Sequence, residues 1–287
     1  MPQLIDRPET NRFIGLFVGE SGSGKTAAEA SFPKPIHFDD FDGRIGGAQG
    51  CKWLDLSGID YDYYPPKQPG TIQKLNARLA SLMNVSALAP VLQLPSTHVT
   101  DSITNMTFAF LCQAMGLTHK QGARDEKRGR YIGGGGGAEG GPIAMAGPED
   151  YGLEAQATYD YIAFLKSLPI PNIIISAHII DRYGKPIGPD GEELTYADSI
   201  VVGHKLSIRD KIAENIKSHF DHVFKFERIS DNLTSAERFY VTFRGGIART
   251  SYSWLPSGRQ DITGREFYSC MMSFRPLAQP EPKGETK

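Results

Sequence analysis

The sequence predicts an α/β fold with a mostly parallel central sheet and helices on both faces. Three observations carry that expectation. The apolar run Phe13 to Val18 stops at a glycine-rich loop, Gly19-Glu20-Ser21-Gly22-Ser23-Gly24-Lys25-Thr26, and a short helix-forming stretch follows it. Further β-prone stretches alternate along the chain with segments of helical apolar spacing. Several of the β-prone stretches end in aspartate or histidine, as at Asp39 to Asp42, Asp101 and His178.

Residues 1–11 read as a polar lead-in to the first strand. After the glycine-rich loop a helix is expected over 26–31, ended by Phe32-Pro33. Pro35 to Phe38 gives a second strand that runs into the acidic turn Asp39-Asp40-Phe41-Asp42-Gly43. Residues 44–70, rich in Gly, Tyr and Pro, read mostly as loop with one edge strand. Ile72, Leu75, Leu79 and Leu82 recur at helical spacing and predict a helix over 72–83. A strand within 91–100 leads to Asp101-Ser102 and a helix over 103–115. Residues 118–148 differ in character. Between Gly129 and Gly141 eight of thirteen residues are glycine, so ordering would cost much backbone entropy and a flexible insertion is expected. A helix near Leu153 to Leu168, a strand at Asn172 to Ala177 and a hairpin within 179–196 follow. A helix at 209–219 and strands at 222–227 and 239–243 complete the pattern. The Pro-, Lys- and Glu-rich tail from 276 is expected to be disordered, leaving one domain over 12–275.

The 287 residues suffice for one large core, and 40% apolar with 22% charged residues is the balance of a folded protein. A net charge of −2 excludes a uniformly basic surface, so any nucleic-acid contact must be a local patch. Cys51, Cys112 and Cys270 have no metal-ligand spacing and read as free thiols of a reducing compartment. The lead-in lacks the apolar run of a signal peptide, and nothing approaches the roughly 18 apolar residues of a membrane span. A cytoplasmic protein, without membrane contact, is expected.

Gly19 to Thr26 matches G-x-x-x-x-G-K-[ST] in full, between a strand and a helix. The glycines let backbone N–H groups converge on phosphate oxygens, and the helix start adds positive potential. In that loop Lys25 reaches the β and γ phosphates and the Thr26 hydroxyl holds Mg²⁺. A carboxylate at a neighbouring strand end is needed beside that ion, and Asp101 is the candidate. Hydrolysis also needs a group that aims water, and Asp39, Asp40 and Asp42 stand past the second strand. His178 ends a strongly apolar strand where it can face a γ-phosphate. No N-K-x-D sequence is present, which favours ATP over GTP.

With these motifs in view, the chain resembles the RecA-like P-loop ATPases of bacteriophages, AAA-family proteins related to single-strand-annealing-associated recombinases. The resemblance rests on Ser31 to Pro35 after the brief helix, the acidic strand end Phe38 to Asp42, the pair Asp101-Ser102, and His178 where such proteins usually carry glutamine. It spans roughly residues 12–227. It implies a RecA-like core and a catalytic acid after the second strand, with Asp42 the first choice and Asp40 the second. It also implies a homo-oligomer with ATP at or near subunit interfaces, and two DNA-contacting segments. In chain order these are 119–147 and 180–197. The first carries Lys120, Arg124, Lys127, Arg128 and Arg130, with Tyr131 beside them as a stacking group. The implied function is ATP hydrolysis coupled to single-stranded DNA in phage recombination or replication, in a host cytoplasm. A single-strand-binding or annealing protein is the implied partner. A helicase or packaging motor, and a nucleotide-gated assembly protein without DNA, remain as alternatives.

Overall fold

The computed structural model describes residues 12–87, 94–121, 146, 148–185, 200–230 and 236–276. The lead-in, most of the glycine-rich insertion, the tip of the 179–196 hairpin and the tail lie outside the described residues. The elements run β1 (Phe13–Gly19), α1 (Lys25–Glu29), β2 (Ile36–Asp40), β3 (Ile59–Tyr63), α2 (Thr71–Ala87), β4 (Thr97–Asp101), α3 (Ile103–Gln121) and α4 (Pro148–Ser167). Then come β5 (Asn172–Gly184), β6 (Ile200–Leu206), α5 (Asp210–Ile216), β7 (His222–Ser230), β8 (Glu237–Thr242), β9 (Arg249–Thr250), β10 (Arg259–Asp261) and α6 (Phe267–Ser273).

The strands form one mixed sheet in the order β10-β8-β7-β1-β5-β4-β2-β3, with β6 paired to β5 and β9 to β7. From β7 to β3 every neighbouring pair is parallel. This is the mostly parallel α/β sheet that the sequence predicts. The strand entering the phosphate loop is separated by one strand, β5, from the strand that ends in Asp101. β1 sits at the centre with all seven residues buried, which explains why it reads as an unbroken apolar run. β3 is the opposite case, an edge strand with outward Asp60 and Asp62.

Register decides what meets at the carboxyl edge. Gly19 lies opposite His178 on one side and Phe226 on the other, while Asp40 lies opposite Asp101 and Tyr63. Parallel strands in open sheets gather ligands at this edge, and every candidate site residue falls there or in the turn that follows.

Both faces are covered. One carries α2, α3, α4 and α5 over a core that includes Leu16, Ile103, Met106, Ile162, Ile175 and Ile216. The other is rich in phenylalanine. Phe267 of α6 stands edge-on to Phe17 and Phe226 at 5.5 and 5.2 Å between ring centroids, anchoring the C-terminal helix beside β1. A buried polar network also crosses the sheet. Asp39 accepts from Tyr161 of α4 at 2.8 Å, lies 3.1 Å from His98 and 3.3 Å from His37. Burial alone would raise this carboxyl, yet His98 and His37 hold it well below its usual range. Among the described residues no helix is long and apolar enough to cross a membrane.

Several elements differ from the sequence expectation. α1 is one turn of Lys25–Glu29 followed by turns to Phe32. α4 begins at Pro148, before the expected Leu153, with Glu149 and Asp150 in its first turn. β5 does not stop near Ala177 but runs on to Gly184 and pairs with β6, which begins only at Ile200. The strands β9 and β10 and the helix α6 were not anticipated, because two or three residues show no readable period.

His222 of β7 gives this fold a pH dependence. It is 1% exposed, stacked on Phe13 at 4.7 Å, and 2.8 Å from the Thr250 hydroxyl through Nδ1. Burial lowers its imidazole from 6.5 to about 4. Between those values the unfolded chain binds a proton that the folded chain does not, so this contribution is full above about pH 6.5 and is lost as pH falls toward 4. From pH 7.5 to 5 the wild type should lose about 2 kcal/mol more unfolding free energy than His222→Gln. Urea titrations at both values test this, and equal losses would count against it.

Candidate nucleotide-binding site

The phosphate loop is shaped by three glycines. A Cβ on Gly19 would lie 2.5 Å from the Phe226 carbonyl oxygen and from Ser23 Oγ, so only glycine fits where β1 ends. Gly22 and Gly24 adopt φ of 76° and 92°, which turn the backbone inward. α1 spans only five residues, so anion binding rests on the loop N–H groups more than on a helix dipole. Lys25 is 5% exposed, and its Nζ donates to the carbonyls of Gly19 and Glu20 at 2.9 Å each. Burial lowers its ammonium, a cost that phosphate oxygens would relieve. The Ser23 hydroxyl is buried without a partner inside the same loop. A phosphate fits a cradle of this kind, with an orphaned donor and a buried cation.

Asp101 closes the second side. Its Oδ2 accepts from the Thr26 hydroxyl at 2.8 Å and its Oδ1 from the Ser176 hydroxyl at 2.5 Å. Burial first, and the charge of Asp42 second, push this carboxyl up. A hydroxyl and a carboxylate are the hard-oxygen donors Mg²⁺ takes, and it binds through few protein ligands, so Thr26 and Asp101 fit that ion.

The structure brings Asp42 and His178 into contact. His178 Nε2 lies 2.6 Å from Asp42 Oδ2, while Ser102 and Asn105 donate to Oδ1 at 2.7 and 2.8 Å. Burial would raise the Asp42 carboxyl, but these bonds, His178 first, hold it below its usual range and keep it ionised. Asp40 is placed differently. Its carboxylate accepts the backbone N–H groups of Asp42, Gly43, Arg44 and Ile45 at 3.0, 2.7, 3.4 and 3.4 Å. It caps the turn and does not line the cavity. Of the two aspartates chosen for aiming water, Asp42 lines the cavity and Asp40 does not.

Two groups of residues escaped the sequence reading. Glu29 is fully buried on α1, neither carboxylate oxygen has a hydrogen-bond partner, and Ser176 spends its hydroxyl on Asp101. The only signal for it was an acid four residues after Lys25. The second group is a wall from the C-terminal part of the chain. A cavity of about 370 Å³ runs from Lys25 and Thr26 to Phe239, Ile262, Gly264 and Phe267. Trp53 stands among the remaining lining residues. Apolar and aromatic walls beside a phosphate cradle suit a nucleobase.

Glu29 yields a signed expectation. Burial, then the charge of Asp101, raises its carboxyl well above normal. The folded chain therefore holds a proton that the unfolded chain releases as pH climbs past about 4.3, and stability falls with rising pH in that window. Glu29→Gln should be at least as stable as wild type at pH 7, with the advantage shrinking toward pH 4.5. A variant less stable at pH 7, and relatively better at pH 4.5, would show that Lys25 holds Glu29 ionised instead.

No family model and no curated protein sequence matches the chain. Among solved structures, a KaiC-like protein from the hyperthermophilic archaeon Pyrococcus horikoshii OT3 is similar over 87% of this chain and 85% of its own, at 11% identity and a TM-score of 0.42. The reading of Gly19 to Thr26 as a P-loop rests on the sheet topology and the loop geometry described above.

Proposed function

We propose that this chain is a Mg²⁺-dependent ATPase of RecA-like type that acts on single-stranded DNA. The observation that carries the ATPase reading is the convergence of Lys25, Thr26, Asp101, Asp42 and His178 on one cavity at the carboxyl ends of β1, β2 and β4, with His178 on β5 opposite Gly19. A site built only to bind a nucleotide would need no ionised carboxylate braced by three donors in front of the phosphates. In hydrolysis Asp42, oriented by His178, Ser102 and Asn105, accepts a hydrogen bond from the attacking water. The water oxygen bonds to the γ-phosphorus while the bond to the β,γ-bridging oxygen breaks. The electron pair of that bond goes to ADP and the water's proton passes to Asp42. Lys25 leaves its carbonyl partners for β and γ oxygens. Thr26 and Asp101 would hold Mg²⁺, which would supply neutralising charge on the phosphates.

Lys25→Ala should reduce ATP binding or turnover to background while circular dichroism is unchanged. Asp101→Asn should retain much of the nucleotide affinity but lose hydrolysis. Unaltered kcat and KM in Lys25→Ala would remove this loop from the reaction.

Support for the DNA role comes from sequence and connectivity. α3 starts directly after Asp101 and leads to the basic run of residues 119–130, and β5 continues past His178 into the second segment. Both therefore have a covalent route to site residues, which suits DNA-stimulated turnover. An oligomer with ATP near subunit interfaces, and a single-strand-binding or annealing partner, belong to the same proposal. Changing Arg124, Lys127, Arg128 and Arg130 together to alanine should weaken single-strand binding roughly tenfold or more at about 0.1 M salt. It should also flatten the salt slope by about 0.7 for each lost contact. Unchanged affinity and slope would exclude this segment as the contact. ATP turnover that single strands do not stimulate would favour an assembly protein instead.

A further inference from the structure

We propose that Arg44 supplies, from the same chain, the cation that stabilises the γ-phosphoryl group in the transition state. The inference rests on the ATPase reading above. Arg44 stands two residues after Asp42 on the turn capped by Asp40, and its guanidinium Nη1 donates to the hydroxyl of Ser21 inside the phosphate loop. It lines the cavity together with Lys25, Thr26, Asp42, Asp101 and His178. Among the described residues no carboxylate forms an ion pair with it. The other arginine beside the loop contrasts with it. Arg228 reaches within 3.5 Å of where a Cβ on Gly22 would stand, but its guanidinium is paired with Glu237 at 3.3 Å and does not line the cavity. One guanidinium is thus neutralised at the rim, and the other, among the described residues, is held by a serine hydroxyl and no carboxylate.

The turn that carries Arg44 is built to hold position. Four successive backbone N–H groups, of residues 42 to 45, converge on the Asp40 carboxylate. Gly43 has φ of 68°, and a Cβ there would meet the Tyr63 ring at 3.1 Å. These constraints fix Asp42 and Arg44 relative to each other on one turn that lines the cavity. In the proposed reaction Asp42 takes the attacking water and Arg44 the γ-phosphoryl oxygens, both from the cavity that they line. A planar guanidinium with several donors can exchange one serine hydroxyl for phosphoryl oxygens without displacing a carboxylate. The γ-phosphoryl oxygens take their planar, in-line arrangement only in the transition state, so a guanidinium placed for them gains there and not in ground-state binding.

The test compares wild type, Arg44→Ala, Arg44→Lys and Lys25→Ala. Calorimetry measures binding of ADP alone and of ADP with aluminium fluoride, a mimic of the transferring phosphoryl group, and single-turnover assays measure hydrolysis. Arg44→Ala should bind ADP within about threefold of wild type. It should bind the mimic, and turn over ATP, about a hundredfold or more worse. Arg44→Lys should recover part of both losses. Equal weakening of ADP and mimic would overturn the proposal, because it would place Arg44 in ground-state binding, as stacking on the base would. No change in either would also overturn it. If wild type hydrolyses ATP and Lys25→Ala does not, the ATPase reading stands whatever Arg44 does. A wild type that binds neither ligand overturns both.

Discussion

Burying the Asp101 carboxylate at the end of β4 obliges its surroundings to supply hydrogen bonds, and they arrive from two other elements. Thr26 donates from the phosphate-loop helix and Ser176 from the strand that separates β1 from β4. That pair of bonds ties three elements together at one point. The same burial gathers acidic groups, since Glu29 and Asp42 share the surroundings of Asp101, against Lys25 and the nearby Arg44. A site of this kind is electrostatically unfinished without a ligand that brings both anionic oxygen and cationic charge. Magnesium nucleotides are such ligands.

Three aspartates within four residues illustrate how little separates structure from chemistry. Asp39 and Asp40 are consecutive in a strand, so their side chains leave opposite faces of the sheet. One enters the histidine–tyrosine network under α4 and the other caps the turn. Asp42 lies beyond the strand, where the turn presents it to His178. The acidic cluster was visible in the sequence, but the distribution of its three tasks was not. Assigning them requires knowing which backbone N–H groups the turn leaves unpaired.

The legible parts of the site were those written contiguously. Gly19 to Thr26 is a local motif, and Asp101 was marked by a β-prone strand followed by a helix start. The Asp42–His178 contact joins residues 136 positions apart, so each was nameable but their pairing was not. The aromatic wall was hidden more deeply. Phe239, Ile262 and Phe267 sit on short or irregular pieces whose burial depends on Phe17, Phe224 and Phe226 being already in place. Likewise β6 was misplaced because the hydrophobic alternation of β5 continues past the site into a hairpin.

The central position of β1 also sets an order of events at the ribosome. This strand and its phosphate loop are synthesised early, yet β1 hydrogen-bonds only to β5 and β7, which emerge much later. Until then a nascent chain carries an apolar strand with two open edges, the state most exposed to aggregation and to chaperone capture. The pocket is later still, since Phe267 must dock before the cavity has its far wall. A ligand of this cavity can therefore act only late in folding, after β1 and α6 have met.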